Sequence, residues 1–174
     1  MPIYDQVLSD EPLREIKLDN KHRGELAELA FMRKAASFGL AVAKPWGDSD
    51  RYDVVVRVGK IFWRVQVKSV WAKVPQKTYY RVKTVNALRI PYTTEQIDFL
   101  VAYIFAEDIW YIFPATEVQG RGSVCLMPGS KRSKNEQYRE AWRLMIPASV
   151  EPAITQPAAS VNLAEAAEPA DNPT

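Results

Sequence analysis

Three side chains that could act on a phosphate ester lie close together in the sequence: the acid Asp53, the amide Gln66 and the amine Lys68. A carboxylate and an amide oxygen can both ligate Mg²⁺. An ammonium group beside that cation could neutralise the charge that develops during hydrolysis, or could help to activate a water molecule. This combination of groups suits metal-dependent hydrolysis of a phosphodiester.

Two predicted strands bring these residues together. β-Branched and aromatic residues dominate residues 53–56 and 62–69, and a short Gly-Lys turn separates the two runs, a pattern typical of a β-hairpin. Side chains two positions apart share one face of a strand, so Gln66 and Lys68 point the same way. Valines flank Gln66, and we expect its amide to have a hydrogen-bond partner because an unpaired buried polar group is costly.

Each of these residues also has an ordinary structural explanation. An Asp before a hydrophobic run is most often a turn residue, and a lone Lys on a strand usually faces solvent. The spacing of the three residues favours a shared site over these separate explanations.

A helix is predicted from Lys21 to Gly39. Its apolar residues recur at spacings of three and four, and a glycine commonly lies just beyond a helix end. Glu25 and Glu28, one turn apart, share one flank of this helix. Acids in such positions usually form a solvated surface, so periodicity alone leaves their role open.

Further strands and a last helix complete the predicted fold. Two strongly apolar runs, 97–105 and 109–113, predict core strands covered on both faces, so helices must pack on the sheet. Residues 136–145 predict a last helix with an apolar stripe, capped by Asn135. The shorter predicted elements are strands at 40–44, 78–83 and 124–127, and a turn or helix at 114–118.

A basic segment with interleaved aromatic residues follows the hairpin. Such a pattern fits a surface that contacts phosphates and stacks on bases. An ordinary solvated sheet edge, guarded by lysines, explains the same composition equally well. The candidate nucleic-acid-binding residues in this segment are Lys73, Lys77, Tyr79, Arg81 and Lys83.

Composition divides the 174 residues into three parts. We expect a lead-in at residues 1–20, one folded domain at 21–146, and a disordered acidic tail rich in proline and alanine at 147–174. Four of the 21 acidic residues and none of the 23 basic residues lie beyond residue 146. The first 146 residues therefore carry a net charge of +6, which is compatible with a nucleic acid partner.

The rare residue types exclude several classes of protein. A single cysteine, Cys125, excludes a disulfide framework and a cysteine-based zinc site. The one histidine, His22, lies in a polar segment and is a poor candidate for a Ser-His-Asp base. No apolar run approaches the roughly 20 residues that span a membrane, and the first residues lack a signal-peptide pattern. We therefore expect a soluble, cytoplasmic protein with no membrane partner.

Several short motifs resemble those of the PD-(D/E)XK nuclease superfamily, most strongly its branch that includes group I intron homing endonucleases. Archaeal Holliday junction resolvases are more distantly similar. The resemblance covers roughly residues 21 to 145. The motifs that carry it are Gly24-Glu25-Leu26-Ala27-Glu28, Tyr52-Asp53, Gln66-Val67-Lys68, and the segments 92–99, 110–114 and 138–142.

This resemblance implies an α/β, restriction-endonuclease-like fold, with a mixed central β-sheet of four or five strands flanked by helices. It implies that Glu28, Asp53 and Gln66 are metal ligands and that Lys68 is the catalytic lysine, so that all four are catalytic residues. It also implies Mg²⁺ as the cofactor, with Mn²⁺ as a substitute, and DNA as the partner.

The chain departs from the family pattern at two positions. Tyr52 stands where the family has its name-giving proline, and Gln66 stands where most members have Asp or Glu, although the intron-endonuclease branch also shows Gln. An amide without formal charge holds a cation less strongly. Glu28 would therefore have to supply the second anion of the site.

The leading hypothesis is a Mg²⁺-dependent DNA endonuclease. One alternative is a catalytically weak or inactive protein that uses a nuclease fold to bind nucleic acid, and another is a protein-interaction scaffold. A homo-oligomer is compatible with the first hypothesis, because a single site that cuts both strands of a duplex favours a two-fold assembly.

Overall fold

The computed structural model describes residues 19–47 and 49–147. The predictions for the lead-in up to residue 18, for Asp48 in the loop before Asp53 and for the tail from residue 148 fall outside these ranges. Within them, no helix combines the length and apolar character that crossing a membrane would require.

The regular elements are two helices and seven strands in the described part of the chain. In chain order they are α1 (Asn20–Ser37), β1 (Ala41–Ala43), β2 (Val54–Val58), β3 (Ile61–Val70), β4 (Tyr80–Lys83), β5 (Phe99–Ile104), β6 (Ile109–Pro114), α2 (Ala115–Val118) and β7 (Ser123–Leu126).

A mixed sheet of five strands, in the order β1-β2-β3-β5-β6, forms the centre of the fold. The long strand β3 pairs antiparallel with β2 and parallel with β5. The remaining pairs, β1 with β2 and β5 with β6, are antiparallel. The predicted hairpin is therefore β2–β3, and β3 is the middle strand of the sheet.

Helix α1 covers one face of this sheet. Asp19 caps its first turn by accepting a hydrogen bond from the His22 N–H at 2.8 Å. At its other end Gly39 adopts a φ of +78°, a conformation that glycine takes without strain. Ala27, Phe31 and Ala35, spaced by four, form its buried stripe and join the core beneath it.

The opposite face of the sheet packs against a second, smaller sheet as well as against a helix. β4 and β7 pair antiparallel to form this two-stranded sheet. This small sheet forms one core with α2 and with the buried β5 and β6 side chains on the face away from α1. It contributes Tyr80, Val82, Val124 and Leu126. The predicted fold class is confirmed, and the small sheet provides part of the cover that the apolar strands required.

The prediction of a last helix over residues 136–145 is wrong. Two short 3₁₀ segments, Glu136–Tyr138 and Trp142–Met145, stand there instead. Between them Glu140 adopts a φ of +48° and pairs with Trp110 on β6 through both its backbone N–H and its carboxylate, each at 2.8 Å. Asn135 makes no cap bond; its side chain donates to a backbone carbonyl of β7. Bonds to the sheet therefore outweigh the local helical pattern.

Candidate active site

The carboxylate of Asp53 folds back onto the neighbouring strand. Asp53 lies just before β2, and its N–H donates to the Val65 carbonyl at 2.9 Å, which extends the hairpin pairing by one residue. Its Oδ2 accepts hydrogen bonds from the Val67 N–H at 2.8 Å and from Nε2 of Gln66. Two donors from β3 therefore fix the orientation of this carboxylate.

Gln66 has the partner that its flanking valines led us to expect. Its side chain is buried, with 5% of the residue exposed. Nε2 donates to Asp53 and also lies 3.3 Å from the Val67 carbonyl oxygen. Because the amide nitrogen faces Asp53, the amide oxygen is the group that Gln66 can offer to a cation.

Glu28 reaches the hairpin from α1. Its side chain is 17% exposed, and Oε2 accepts a hydrogen bond from Nζ of Lys44 at 2.7 Å. Lys44 follows β1, where the chain turns into the loop that leads to Asp53. The pairing with Glu28 raises the pKa of Lys44. Lys44 is not among the site residues predicted from the sequence, where the only sign of its role is that a basic residue stands just before that loop.

Lys68 lies two residues beyond Gln66 on β3. It is half-buried, and its Nζ is 5.3 Å from the centre of the Tyr92 ring. Within residues 19–47 and 49–147, Lys68 takes part in no ion pair. Its ammonium group is therefore not committed to an acid of the described chain.

One open cavity of about 590 Å³ is lined by all four predicted catalytic residues: Glu28, Asp53, Gln66 and Lys68. Asn20 and Arg23 of α1 line it as well. Glu25, the other acid on that flank of α1, lines a neighbouring cavity together with Lys44. The structure thus brings together one helical acid and three hairpin side chains, which the sequence separates by up to 40 positions.

The electrostatics of this cavity favour the uptake of positive charge. Burial, together with the negative charge of Glu28, raises the pKa of Asp53 to about 6. The Val67 N–H and the ammonium groups of Lys68 and Lys44 oppose this rise only in part. Two carboxylates are therefore held in a partly desolvated space where their charges are not fully compensated.

The donor set fits a hard divalent cation. No group of three or more His, Cys, Asp and Glu side chains that could hold a metal occurs in the described part of the chain. Two carboxylates remain, those of Glu28 and Asp53, together with the amide oxygen of Gln66. Oxygen ligands of this kind, few in number and completed by water, are those that Mg²⁺ accepts.

The predicted nucleic-acid-binding residues lie outside this cavity, on β4 and on the segment before it. Lys77, Arg81 and Lys83 are exposed, and the Arg81 guanidinium lies 5.7 Å from the Tyr79 ring and donates to its hydroxyl. Lys73 instead lies 3.8 Å from the Glu107 carboxylate. Three of these cations are therefore exposed to solvent, whereas the charge of Lys73 is partly compensated by Glu107.

The five predicted binding residues lie in a longer stretch of sequence that has basic but no acidic residues. The stretch from Val54 to Thr94, which we call the acid-free segment, contains no Asp or Glu. It begins at the hairpin, runs through β4 and ends before β5. Its nine basic residues are Arg57, Lys60, Arg64, Lys68, Lys73, Lys77, Arg81, Lys83 and Arg89. The positive charge of the protein is thus concentrated in the part of the chain that carries Gln66 and Lys68.

A mixed five-stranded sheet with a helix on one face is the architecture of the restriction-endonuclease-like class of α/β proteins. The family model described as PD-(D/E)XK endonuclease matches residues 18–145. The chain belongs to this family. Membership indicates nuclease activity on nucleic acid.

A solved structure supports the same placement. The chain is similar to a bacterial homing endonuclease, I-Ssp6803I, with 32% sequence identity and a TM-score of 0.65. The similarity covers 75% of this chain and 93% of that one. A search of the curated proteins finds no match.

Proposed function

We propose that the protein is a Mg²⁺-dependent DNA endonuclease whose catalytic residues are Glu28, Asp53, Gln66 and Lys68. The observation that carries this proposal is that all four side chains line one cavity. The family of the chain supplies the reaction class, hydrolysis of a nucleic acid, and the similar homing endonuclease makes DNA the substrate that we favour.

Glu28, Asp53 and the amide oxygen of Gln66 would hold the cation, with Mn²⁺ as a substitute for Mg²⁺. A bound divalent cation supplies Lewis-acid chemistry at the scissile phosphate. The contribution of the protein is to fix the ligands beforehand. The two N–H donors on Oδ2 of Asp53 do so, since they hold the carboxylate in one orientation.

Lys68 would act on the phosphate itself. Lys68 lines the same cavity and lies on the same strand as Gln66, and its ammonium group is not paired with any acid of the described chain. A positive charge placed there stabilises the negative charge that accumulates on the phosphate oxygens as the bond to the leaving oxygen breaks.

The acid-free segment would bind the DNA backbone. Its exposed cations, among them Lys77, Arg81 and Lys83, would release counterions from the phosphates on binding. We also propose that a homo-oligomer forms on DNA, because one site per chain cuts both strands of a duplex most simply as a two-fold assembly.

A cleavage assay tests this proposal. Labelled duplex, branched and single-stranded DNA and supercoiled plasmid are each incubated with protein in Mg²⁺, Mn²⁺ or EDTA. We expect nicking or cutting with Mg²⁺ and Mn²⁺ and none with EDTA. Lys68→Ala should lower the rate by at least about a hundredfold, while Lys134→Ala, in an exposed loop, should leave it unchanged. Cutting that persists in EDTA, or in Lys68→Ala, contradicts the proposal.

A second candidate function is nucleic-acid binding with weak or absent cleavage. The observations in its favour are that Gln66 adds no charge to the site and that Lys44 already pairs with Glu28. Calorimetry with Mg²⁺ and Mn²⁺ separates the two functions, because a binding module does not require either cation. Saturable cation binding that disappears in Asp53→Ala supports the endonuclease.

A further inference from the structure

The loop between β4 and β5 exposes two large apolar side chains at its tip. Leu88 is 71% exposed and Ile90 is 52% exposed, and the cation Arg89 lies between them. Single exposed apolar residues need no explanation. Here two of them flank an exposed arginine, so the tip offers apolar and cationic groups side by side to a binding partner.

Hydrogen bonds hold this tip in one shape. Oδ1 of Asn86 accepts from the backbone N–H groups of Leu88 at 2.9 Å and Ile90 at 3.0 Å. The backbone of Asn86 adds two more bonds, from its N–H to the Ile90 carbonyl and from the Arg89 N–H to its own carbonyl, both at 3.0 Å. Leu88, Arg89 and Ile90 are therefore presented on a preformed turn.

The backbone of Arg89 is in the left-handed region, with a φ of +61°. Few residues other than glycine adopt this conformation, and it persists only where the surrounding bonds impose it. The sequence nevertheless places an arginine there, where glycine would fit without strain.

The neck of the loop is anchored next to the candidate active site. Val85 and Pro91 form a bridge across it, and the Tyr92 N–H donates to the Thr84 carbonyl at 3.3 Å. Thr84 is fully buried, and its hydroxyl donates to the Arg121 carbonyl. The buried ring of Tyr92 lies 5.3 Å from Nζ of Lys68. The tip therefore projects from a base that contacts the predicted catalytic lysine.

We propose that residues 88–90 insert into the minor groove of duplex DNA, with Leu88 and Ile90 as an apolar wedge against a base step and Arg89 in the groove beside them. This inference rests on the proposed function, since it takes DNA as the partner. Proteins that kink DNA from the minor groove insert Leu and Ile between base steps and place arginine in the groove.

Charge and size favour DNA over a protein as the occupant. The whole loop belongs to the acid-free segment, so no carboxylate of that segment repels a phosphate backbone. A stable protein interface buries roughly 800 Å² on each partner, which a tip of three residues does not supply. A wedge in a base step needs only one or two side chains.

The test measures binding to short duplexes with and without a central mismatch, in Ca²⁺ or EDTA so that cutting does not interfere. A wedge enters a step more easily where stacking is already weakened. We expect the wild-type protein to bind the mismatched duplex about tenfold more tightly than the paired one. The double substitution of Leu88→Ala with Ile90→Ala should abolish this preference, and Leu144→Ala, another exposed leucine, should keep it.

Two control measurements, a melting temperature and a salt dependence, accompany this test. Because both apolar side chains are exposed, the double variant should keep the wild-type melting temperature. Arg89→Gly keeps the left-handed turn and removes the guanidinium, so it should preserve the mismatch preference and reduce the slope of log affinity against log salt by about 0.9.

The proposal is overturned if the double variant retains the preference, or if sedimentation shows that it dissociates an oligomer that the wild type forms, since the tip would then contact a second copy. If the wild type cuts DNA while the double variant binds like the wild type, only the wedge is wrong. If the preference depends on Leu88 and Ile90 but nothing is cut, the wedge stands and the endonuclease proposal fails. Absence of any duplex binding overturns both.

Discussion

The candidate active site and the rest of the acid-free segment are built in opposite ways. In the site, Gln66 is buried, Glu28 is largely buried, and each carboxylate has a fixed partner. Along β4 and its flanks, Lys77 and Lys83 stand in solvent. Hydrolysis depends on the geometry of a few groups, whereas backbone binding depends on charge density. Substitutions in the site should therefore change the rate, and substitutions on the segment should change the affinity.

The largest effect is expected for Asp53→Asn. The cleavage rate should fall by at least about a thousandfold, because the proposed site would lose a carboxylate ligand and hold the cation less strongly. Without divalent cations, the free energy of unfolding at about pH 8 should rise by up to about 3 kcal/mol, since the pKa of Asp53 is raised from 3.8 to about 6. Duplex affinity in EDTA should not fall.

The pH dependence of stability supplies the control for that variant. A raised pKa means that the folded protein holds the Asp53 proton more tightly than the unfolded chain does. The wild-type protein is therefore more stable when Asp53 is protonated, and it loses this stability as the pH rises through about 6. The extra stability of Asp53→Asn over the wild type should accordingly disappear below about pH 4. Urea unfolding across this range measures it. An advantage that is independent of pH would exclude charge burial as the cause.

Gln66→Glu should move stability and cation affinity in opposite directions. A second carboxylate beside Asp53 replaces the hydrogen bond from Nε2 with a repulsion, which should lower the free energy of unfolding by about 2 kcal/mol without divalent cations. The added anion should raise Mg²⁺ affinity about tenfold in calorimetry. Gln66→Met is the matched control: it loses the bond and should be destabilised without any gain in affinity.

Lys44→Met should have a smaller effect on the same site. The Lys44 ammonium donates a hydrogen bond to Oε2 of Glu28, so it would compete with a bound cation for that oxygen. The Lys44 side chain is half exposed, so solvent screens its charge, and its removal should raise Mg²⁺ affinity only about threefold. Calorimetry with Lys60→Met, in the exposed hairpin turn, as control measures this. An unchanged affinity would mean that Glu28 is not a ligand or that Lys44 moves aside freely.

The smallest effect is expected on the binding surface. Lys83→Ala should weaken duplex binding about threefold and reduce the salt slope by about 0.9, because it removes one exposed cation that we propose contacts a phosphate. The cleavage rate at saturating DNA should not change. Lys134→Ala, which lies outside the acid-free segment, serves as the control. A large loss of rate in Lys83→Ala would show that the two regions are not separate.

Features that depend on neighbouring residues were predictable from the sequence. The β2–β3 hairpin follows from two runs of β-branched and aromatic residues and from a glycine at the turn between them, Gly59, with a φ of +61°. That hairpin alone positions Asp53, Gln66 and Lys68. Helix α1 follows from its periodicity and Gly39. The selection of Glu28 over Glu25 required the family resemblance, because both acids lie on one flank and periodicity does not distinguish them.

Features that depend on distant contacts were not predictable. The ion pair of Lys44 with Glu28 joins residues from different elements. The pairing of Val82 with Val124 in the small sheet joins strands on either side of β5 and β6. The last helix failed for the same reason: the apolar spacing of Trp142 and Met145 fits a helix, but the bonds between Glu140 and Trp110 decide the backbone.

The position of β3 has a consequence for the order in which the molecule assembles. Its antiparallel neighbour β2 is adjacent in the chain, so the hairpin needs only a short loop closure, whereas the parallel pairing of Val65 with Phe99 must close a much longer one. We expect the hairpin to form early. During synthesis, the segment that ends at residue 70 would then align Asp53 with Gln66 and Lys68 before the ribosome has supplied the strand that encloses them.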